Sequence, residues 1–219
     1  MSELMRVRSP LETFLRQNIR GNQRDDPDRI PGLIIDERKN TCQLQMIARN
    51  NDADQLSNIL VQYLGLEKPL TPMAATSKNG LLICATGPLE YWVMAQQPGS
   101  IDALAAIQSE VEQSASIFDQ SEGKLVLGLT GAKVVDVLAK GTALDLHAKA
   151  LPAQGAAHTV IEHIPVLLTW QSDAGHYNLV IPRSYAHSFL NWLCDAARDV
   201  GYVINKDGNE MKTAPHKNG

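Results

Sequence analysis

Asp145 and His147 stand two positions apart. If Leu144–His147 is extended, they share a face and could act as a proton-handling couple. The same spacing arises when an aspartate satisfies a turn, and that is the preferred reading. His158 and His163 lie on a run that reads as one strand, where an odd separation points them to opposite faces and rules them out as a convergent metal pair. Cys84 sits inside Leu81-Leu82-Ile83-Cys84-Ala85. A reactive thiolate needs an exposed, electropositive setting, so Cys84 reads as a core residue.

Gly128-Leu129-Thr130-Gly131-Ala132-Lys133 is the nearest approach to a phosphate loop. It has the wrong spacing and no Ser or Thr after the lysine, so it reads as a glycine-rich strand-to-helix turn. The dinucleotide glycine fingerprint and the Gly-x-Ser-x-Gly elbow are both missing from the sequence. Core packing accounts for Trp92, Trp170 and Trp192. No catalytic, cofactor-binding or metal-ligating residue is therefore assigned.

The elements that would position these residues follow an alternating order. A strand at Cys42–Ala48 precedes a helix capped by Asn51-Asp52, with Leu56, Ile59, Leu60, Tyr63 and Leu64 on one face and Gly65 as its stop. Pro69 and Pro72 mark a loop. Leu81–Ala85 and Tyr91–Ala95 read as a strand pair across Gly87-Pro88, and Pro98-Gly99-Ser100 opens a helix carrying Ile101, Leu104, Ile107 and Val111. The order then recurs. Lys124–Leu129 is a strand, Val134, Val135 and Leu138 lie on a helix ended by Gly141, and a loop holds Pro152, Gly155 and Ala156. Strand-like runs follow at His158–His163, Val166–Trp170 and Tyr177–Ile181. Ser184 is placed as the cap of a last helix through Phe189, Leu190 and Leu193, and Tyr202–Ile204 closes the order. The expected fold is α+β, a duplication of two ferredoxin-like split βαβ units.

Three regions follow from this reading. Residues 1–32 are an arm with Arg6, Arg8, Arg16, Arg20, Arg24 and Arg29 and no lysine. Ser9-Pro10 would start a short helix there, with Leu11, Phe14, Leu15 and Ile19 on one face. The arm is read either as mobile or as docking on another subunit. Residues 33–204 form the body, with halves at about 33–114 and 115–204, and 205–219 is a polar tail expected to be disordered.

The 219 residues are 44% hydrophobic and 20% charged, as in soluble globular proteins, with a net charge of −4 and a pI near 5.8. That balance argues against a nucleic-acid partner. Three scattered cysteines fit a reducing compartment, and no run approaches a membrane span or a secretory leader. A cytoplasmic protein without a membrane partner is the expectation.

The span from Asp119 to Gly201 carries a resemblance. In order come Asp119-Gln120-Ser121, Leu125-Val126-Leu127-Gly128-Leu129, Gly131-Ala132, Val137-Leu138-Ala139-Lys140-Gly141 and Leu144-Asp145-Leu146-His147. Ile164-Pro165-Val166-Leu167-Leu168, Tyr177 to Ser184 and Leu190-Asn191-Trp192-Leu193 follow. This resembles the gamma subunit of heterotetrameric sarcosine oxidase, and Gly87-Pro88-Leu89-Glu90-Tyr91-Trp92 is similar to that family's Gly-Pro-x-Glu-Trp segment, with a tyrosine inserted. The resemblance covers about residues 33–204.

It implies a fold like the folate-binding domain of glycine-cleavage T-proteins, and a complex with alpha, beta and delta subunits. FAD, FMN, NAD, tetrahydrofolate and zinc would be held by those other subunits, leaving this chain a structural, non-catalytic role. The complex would demethylate sarcosine to glycine, with one-carbon transfer to tetrahydrofolate and electrons passing through flavin to oxygen. The family also includes gamma-like subunits of N-methylglutamate dehydrogenase, and the shared fold alone leaves open a stand-alone folate-binding or aminomethyl-transfer protein. An interaction module with no enzyme connection is a third reading.

Overall fold

The computed structural model describes residues 9–12, 20–21, 30–39, 41–95, 100–147, 151–171 and 175–205. Twelve strands among these residues fall into two sheets. The smaller sheet is built from β3 (Gln43–Ala48), β4 (Ala75–Lys78), β5 (Leu81–Gly87), β6 (Glu90–Ala95) and β7 (Ala115–Asp119), in the spatial order β4-β5-β6-β3-β7. Two helices belong with it: α1 (Ala53–Leu64) between β3 and β4, and α2 (Ile101–Val111) between β6 and β7.

The larger sheet repeats this plan with β8 (Lys124–Thr130), short helix α3 (Val134–Leu138), β9 (Gln154–Ile161), β10 (Ile164–Gln171), β11 (His176–Pro182), α4 (Ala186–Ala196) and β12 (Tyr202–Asn205). With β1 (Arg20–Gly21) and β2 (Leu33–Arg38) added, its order is β1-β12-β2-β8-β11-β10-β9. The sequence β9-β10-β11-β8 mirrors β4-β5-β6-β3. The two units differ where β2 enters between β8 and β12, parallel to β12 and antiparallel to β8. The duplicated split βαβ plan is therefore present. Strand β7 sits in the first unit's sheet and β2 in the second unit's sheet, so both cross a division at residues 114/115.

Strand alternation creates three packed layers. Leu125, Leu127 and Leu129 point from β8 to the core under α3 and α4, where Phe189, Leu190 and Leu193 meet them. Leu81, Ile83 and Ala85 of β5 point the other way, to Leu56, Leu60 and Leu64 of α1 and to Leu104, Ile107 and Val111 of α2. The residues between them, Leu82, Cys84, Trp92 and Met94 on one sheet, and Val126, Ala156, Leu167 and Val180 on the other, close the sheets against each other. Helices thus cover the outer face of each sheet, and the inner faces share a core.

Local signals explain most of the boundaries. Asp52 caps α1 by accepting from the Gln55 backbone N–H at 2.9 Å, and Gly65 ends it in the left-handed conformation with φ 62°. Several expectations need correction. Glu162 and His163 both have positive φ, 47° and 63°, and form the two-residue turn between Ile161 and Ile164, so β9 ends before His163. Gly155 and Ala156 lie inside β9 rather than in a loop. Gly141 lies beyond α3, and a Cβ there would come within 2.4 Å of the Trp192 ring. Ser184 is not a helix cap: Arg183–Tyr185 forms a 3-10 turn, and α4 begins after it without a side-chain cap. Asn205 belongs to β12, and its amide donates to Asp36 at 2.6 Å.

Part of the arginine-rich segment is built into the body. The Ser9 hydroxyl donates to the buried Glu37 carboxylate at 2.7 Å and accepts from the Leu11 N–H at 2.9 Å. Leu11 is fully buried in the core of the larger sheet, and Arg20–Gly21 pairs with β12. Phe14, Leu15 and Ile19, and residues 206–219 of the tail, lie outside the described residues. Leu11→Ala should therefore cost roughly 2–5 kcal/mol of stability, the usual range for emptying a buried leucine site. Denaturant unfolding with Ile30→Ala as an exposed control measures this; the control should stay within about 0.5 kcal/mol of the parent.

Candidate functional site

The most developed polar cluster lies at one end of the shared core between the sheets. Glu90 begins β6, and its Oε1 accepts from Gln45 Nε2 of β3 at 2.7 Å and from Trp92 Nε1 at 2.8 Å. Gln45 faces Trp92 directly across the β3–β6 pair. Its own Oε1 accepts from Gln120 Nε2 at 3.0 Å, which extends the network past β7. From the larger sheet, His158 of β9 brings Nε2 to 3.5 Å from Glu90 Oε1. The His158 ring meets Trp92 edge-on, 5.9 Å between centroids, and Lys124 Nζ of β8 lies 6.0 Å from the centre of the Trp92 ring. Three strands from two sheets thus converge on one carboxylate, and a fourth brings Lys124 to the adjoining Trp92 ring.

Its electrostatics follow from these contacts. Partial burial pushes the Glu90 carboxyl up, but the hydrogen bonds from Trp92 and Gln45 and the facing His158 outweigh that and hold it below its ordinary value of 4.5. The anion is favoured by folding. A depressed carboxyl stabilises the fold fully above the unfolded value and loses that contribution as pH falls through the folded one. Glu90→Gln should accordingly lower stability at neutral pH, where this contribution is fully present, and flatten the acid limb of the stability–pH profile as pH falls below about 4.5. Urea midpoints measured from pH 3 to 7 check this, and an unchanged acid limb would contradict it.

The residues singled out by type and spacing have other roles. Asp145 Oδ1 accepts from the His147 backbone N–H at 3.0 Å, a turn in which both side chains stay exposed. Burial pushes the Cys84 thiol far up and the Cys194 thiol up to about 11, which is the setting of packed, unreactive sulfur. Gly128 is inside β8, and Lys133 at the start of α3 bonds Asp136 at 2.9 Å. Trp170 donates to the Pro152 carbonyl at 2.9 Å, and Trp192 packs on Phe189. Among the described residues, no three His, Cys, Asp or Glu side chains converge as a metal site would require.

Glu90 and His158 are far apart in the chain, and no local spacing joins them. The one signal in the sequence was that Glu90 lies in the Gly87-to-Trp92 segment that carries the resemblance.

Two split βαβ units closed sheet against sheet give the chain the fold seen in a glycine-cleavage T-protein. The aminomethyltransferase T of the glycine cleavage system from Bartonella henselae superposes with a TM-score of 0.57, at 10% identity over 80% of this chain and 48% of that one. The chain belongs to the sarcosine oxidase gamma subunit family, whose profile matches residues 49–199. It is similar to the sarcosine oxidase subunit gamma of Corynebacterium sp. (strain P-1), 30% identical over 126 residues, which is 57% of this chain and 60% of that relative. The match to the subunit from Corynebacterium sp. (strain U-96) is 28% over 119 residues, 54% of this chain and 57% of that relative. These alignments span less than two thirds of the relatives' length. The heterotetrameric sarcosine oxidase of Corynebacterium sp. U-96, solved with pyrrole 2-carboxylate, contains a chain that superposes with a TM-score of 0.69 at 23% identity, covering 89% of this chain and 96% of that one.

Proposed function

We propose that this chain is the gamma subunit of a heterotetrameric, flavin-dependent sarcosine oxidase and that its work is assembly. The family match over residues 49–199 carries this reading. In it, alpha, beta and delta subunits are the partners and hold FAD, FMN, NAD, tetrahydrofolate and zinc. The complex demethylates sarcosine to glycine in the cytoplasm and passes the one-carbon unit to tetrahydrofolate. The gamma chain contributes a rigid two-sheet body and surfaces, and neither proton transfer nor cofactor ligation is assigned to it.

Two features support a scaffold role. The turn at Asp145 and His147, the paired Lys133 and the buried thiol of Cys84 are all engaged structurally. The larger sheet is extended by β1 and β2, which broadens the body beyond the repeated unit. Among the described residues, no helix is long and apolar enough to cross a membrane.

Co-expression with the subunits encoded beside its gene tests the proposal. The full set should yield a yellow complex that releases formaldehyde from sarcosine in the absence of tetrahydrofolate. Omitting this chain should reduce the yield of assembled complex, and the chain alone should be colourless and inactive. Turnover of sarcosine by the isolated chain would contradict the non-catalytic assignment.

A further inference from the structure

Three exposed apolar side chains surround the Glu90 cluster. Ile47 is the cross-strand neighbour of Glu90 and is 36% exposed. Phe118, 48% exposed, is the neighbour of Gln45 across the β3–β7 pair. Val160 follows His158 by two positions on the same face of β9 and is 54% exposed. Among the described residues, strand β7 is the outer strand of its sheet and has no further strand paired to it.

The centre of the patch is negatively charged and already oriented. Both side-chain donors, Gln45 and Trp92, bond Glu90 Oε1, and among the described residues nothing bonds Oε2. The Glu90 side chain remains 25% exposed. Asp119 at the end of β7, Glu122 in the turn after it and Glu162 in the turn after β9 add carboxylates to the neighbouring segments, and all three side chains are exposed. Among the described residues, Lys124 Nζ lies 6.0 Å from the centre of the Trp92 ring, and His158 Nε2 faces Glu90 on its Oε1 side at 3.5 Å. A fixed carboxylate with one free oxygen, ringed by apolar groups, is the arrangement in which a charged contact is shielded from water and pre-organised.

We infer that this surface docks an apolar segment of another subunit that places an arginine or lysine on Glu90 Oε2. The inference rests on the assembly role proposed above and assigns it a location. The geometry suits a cation because Oε2 can only accept, and guanidinium and ammonium groups donate to such an oxygen. Ile47, Phe118 and Val160 would pack on the apolar residues that flank that cation.

The test uses the co-expressed complex with wild-type chain, Glu90→Gln, the double variant Phe118→Asp/Val160→Asp, and Ile101→Asp. Ile101 is an exposed control on α2, the helix on the opposite side of the smaller sheet. Wild type and Ile101→Asp should co-elute with the flavin-bearing subunits. The double variant should lose at least about tenfold in affinity. Glu90→Gln should lose about tenfold and weaken the salt dependence of assembly. Thermal melts of each full-length variant at pH 7 separate lost docking from lost folding, and Glu90→Gln serves if the double variant does not fold.

Failure of the wild-type chain to co-elute would overturn the assembly role itself. Co-elution of wild type and both patch variants alike would leave that role standing and overturn this surface as its location. Self-association of the wild-type chain abolished by the same variants would assign the patch to a second copy and also overturn the inference.

Discussion

Trp92→Ala should destabilise the chain by roughly 3–5 kcal/mol, the range for removing a buried tryptophan. For a chain of this size that corresponds to a melting point lower by about 10 °C. Trp92 fills the shared core with Leu82, Met94, Val126 and Leu167, so its loss opens a cavity between the two sheets. It also removes the N–H that holds Glu90 Oε1 at 2.8 Å. Trp92→Phe separates the two effects. Phenylalanine keeps most of the apolar volume and loses the donor, so the cost should fall to about 1.5–3 kcal/mol, and the acid limb assigned to Glu90 should shrink. A Trp92→Ala protein melting within 2 °C of the parent would mean that the sheets do not share this core.

Gly155→Val is expected to be as damaging by the opposite route. Along one edge the sheets are joined where Ala74 pairs with Gly155. The Ala156 N–H donates to the Met73 carbonyl at 3.0 Å, and Gln154 Nε2 donates to Ser77 Oγ at 3.0 Å. A Cβ on residue 155 would stand 2.4 Å from Trp170 Cζ2 and 2.6 Å from the Met73 carbonyl oxygen. The ring is held by its bond to Pro152, and the carbonyl is committed to the seam, so neither yields readily. Overpacking of this kind costs about 1–3 kcal/mol and sometimes more. The upper end is expected here, with a fall in melting point of roughly 6–12 °C. Gly123→Ala is the control: the nearest atom to its Cβ is 3.7 Å away, and melting should hardly change.

Both substitutions act on the contact between the two units, which was the least legible feature in the sequence. The helices were readable because their signals are local. Asp52 and Gly65 bracket α1, and the apolar spacing of Leu104, Ile107 and Val111 marks α2. The central strands were readable because Leu125 to Leu129 and Tyr177 to Ile181 are apolar on both faces, one for the helices and one for the other sheet. Strand β4 has the sequence Ala-Thr-Ser-Lys and lies at an edge, so its pairing with β5 leaves no hydrophobic pattern to find. The Glu162-His163 turn hid for a related reason. Left-handed turns usually advertise themselves with Gly or Asn, and here neither residue is present.

The candidate site was legible only in pieces. Trp92 read correctly as a core residue, and His158 was set aside as half of an unsuitable metal pair. Their meeting with Glu90 depends on how β6 of one sheet faces β9 of the other, and such pairing is written in shared burial rather than in spacing. The arginine-rich segment shows the same limit. Its charge suggested an arm, while Leu11 is held in the core by contacts that only the folded chain supplies.

Native mass spectrometry of the co-expressed complex tests the assembly claim most directly. The account predicts one copy of this chain per assembly, released on gentle dissociation at its bare polypeptide mass, with every flavin retained by the other subunits. A released chain carrying a flavin, or an active flavin complex of unchanged yield and stability that contains no copy of this chain, would contradict it.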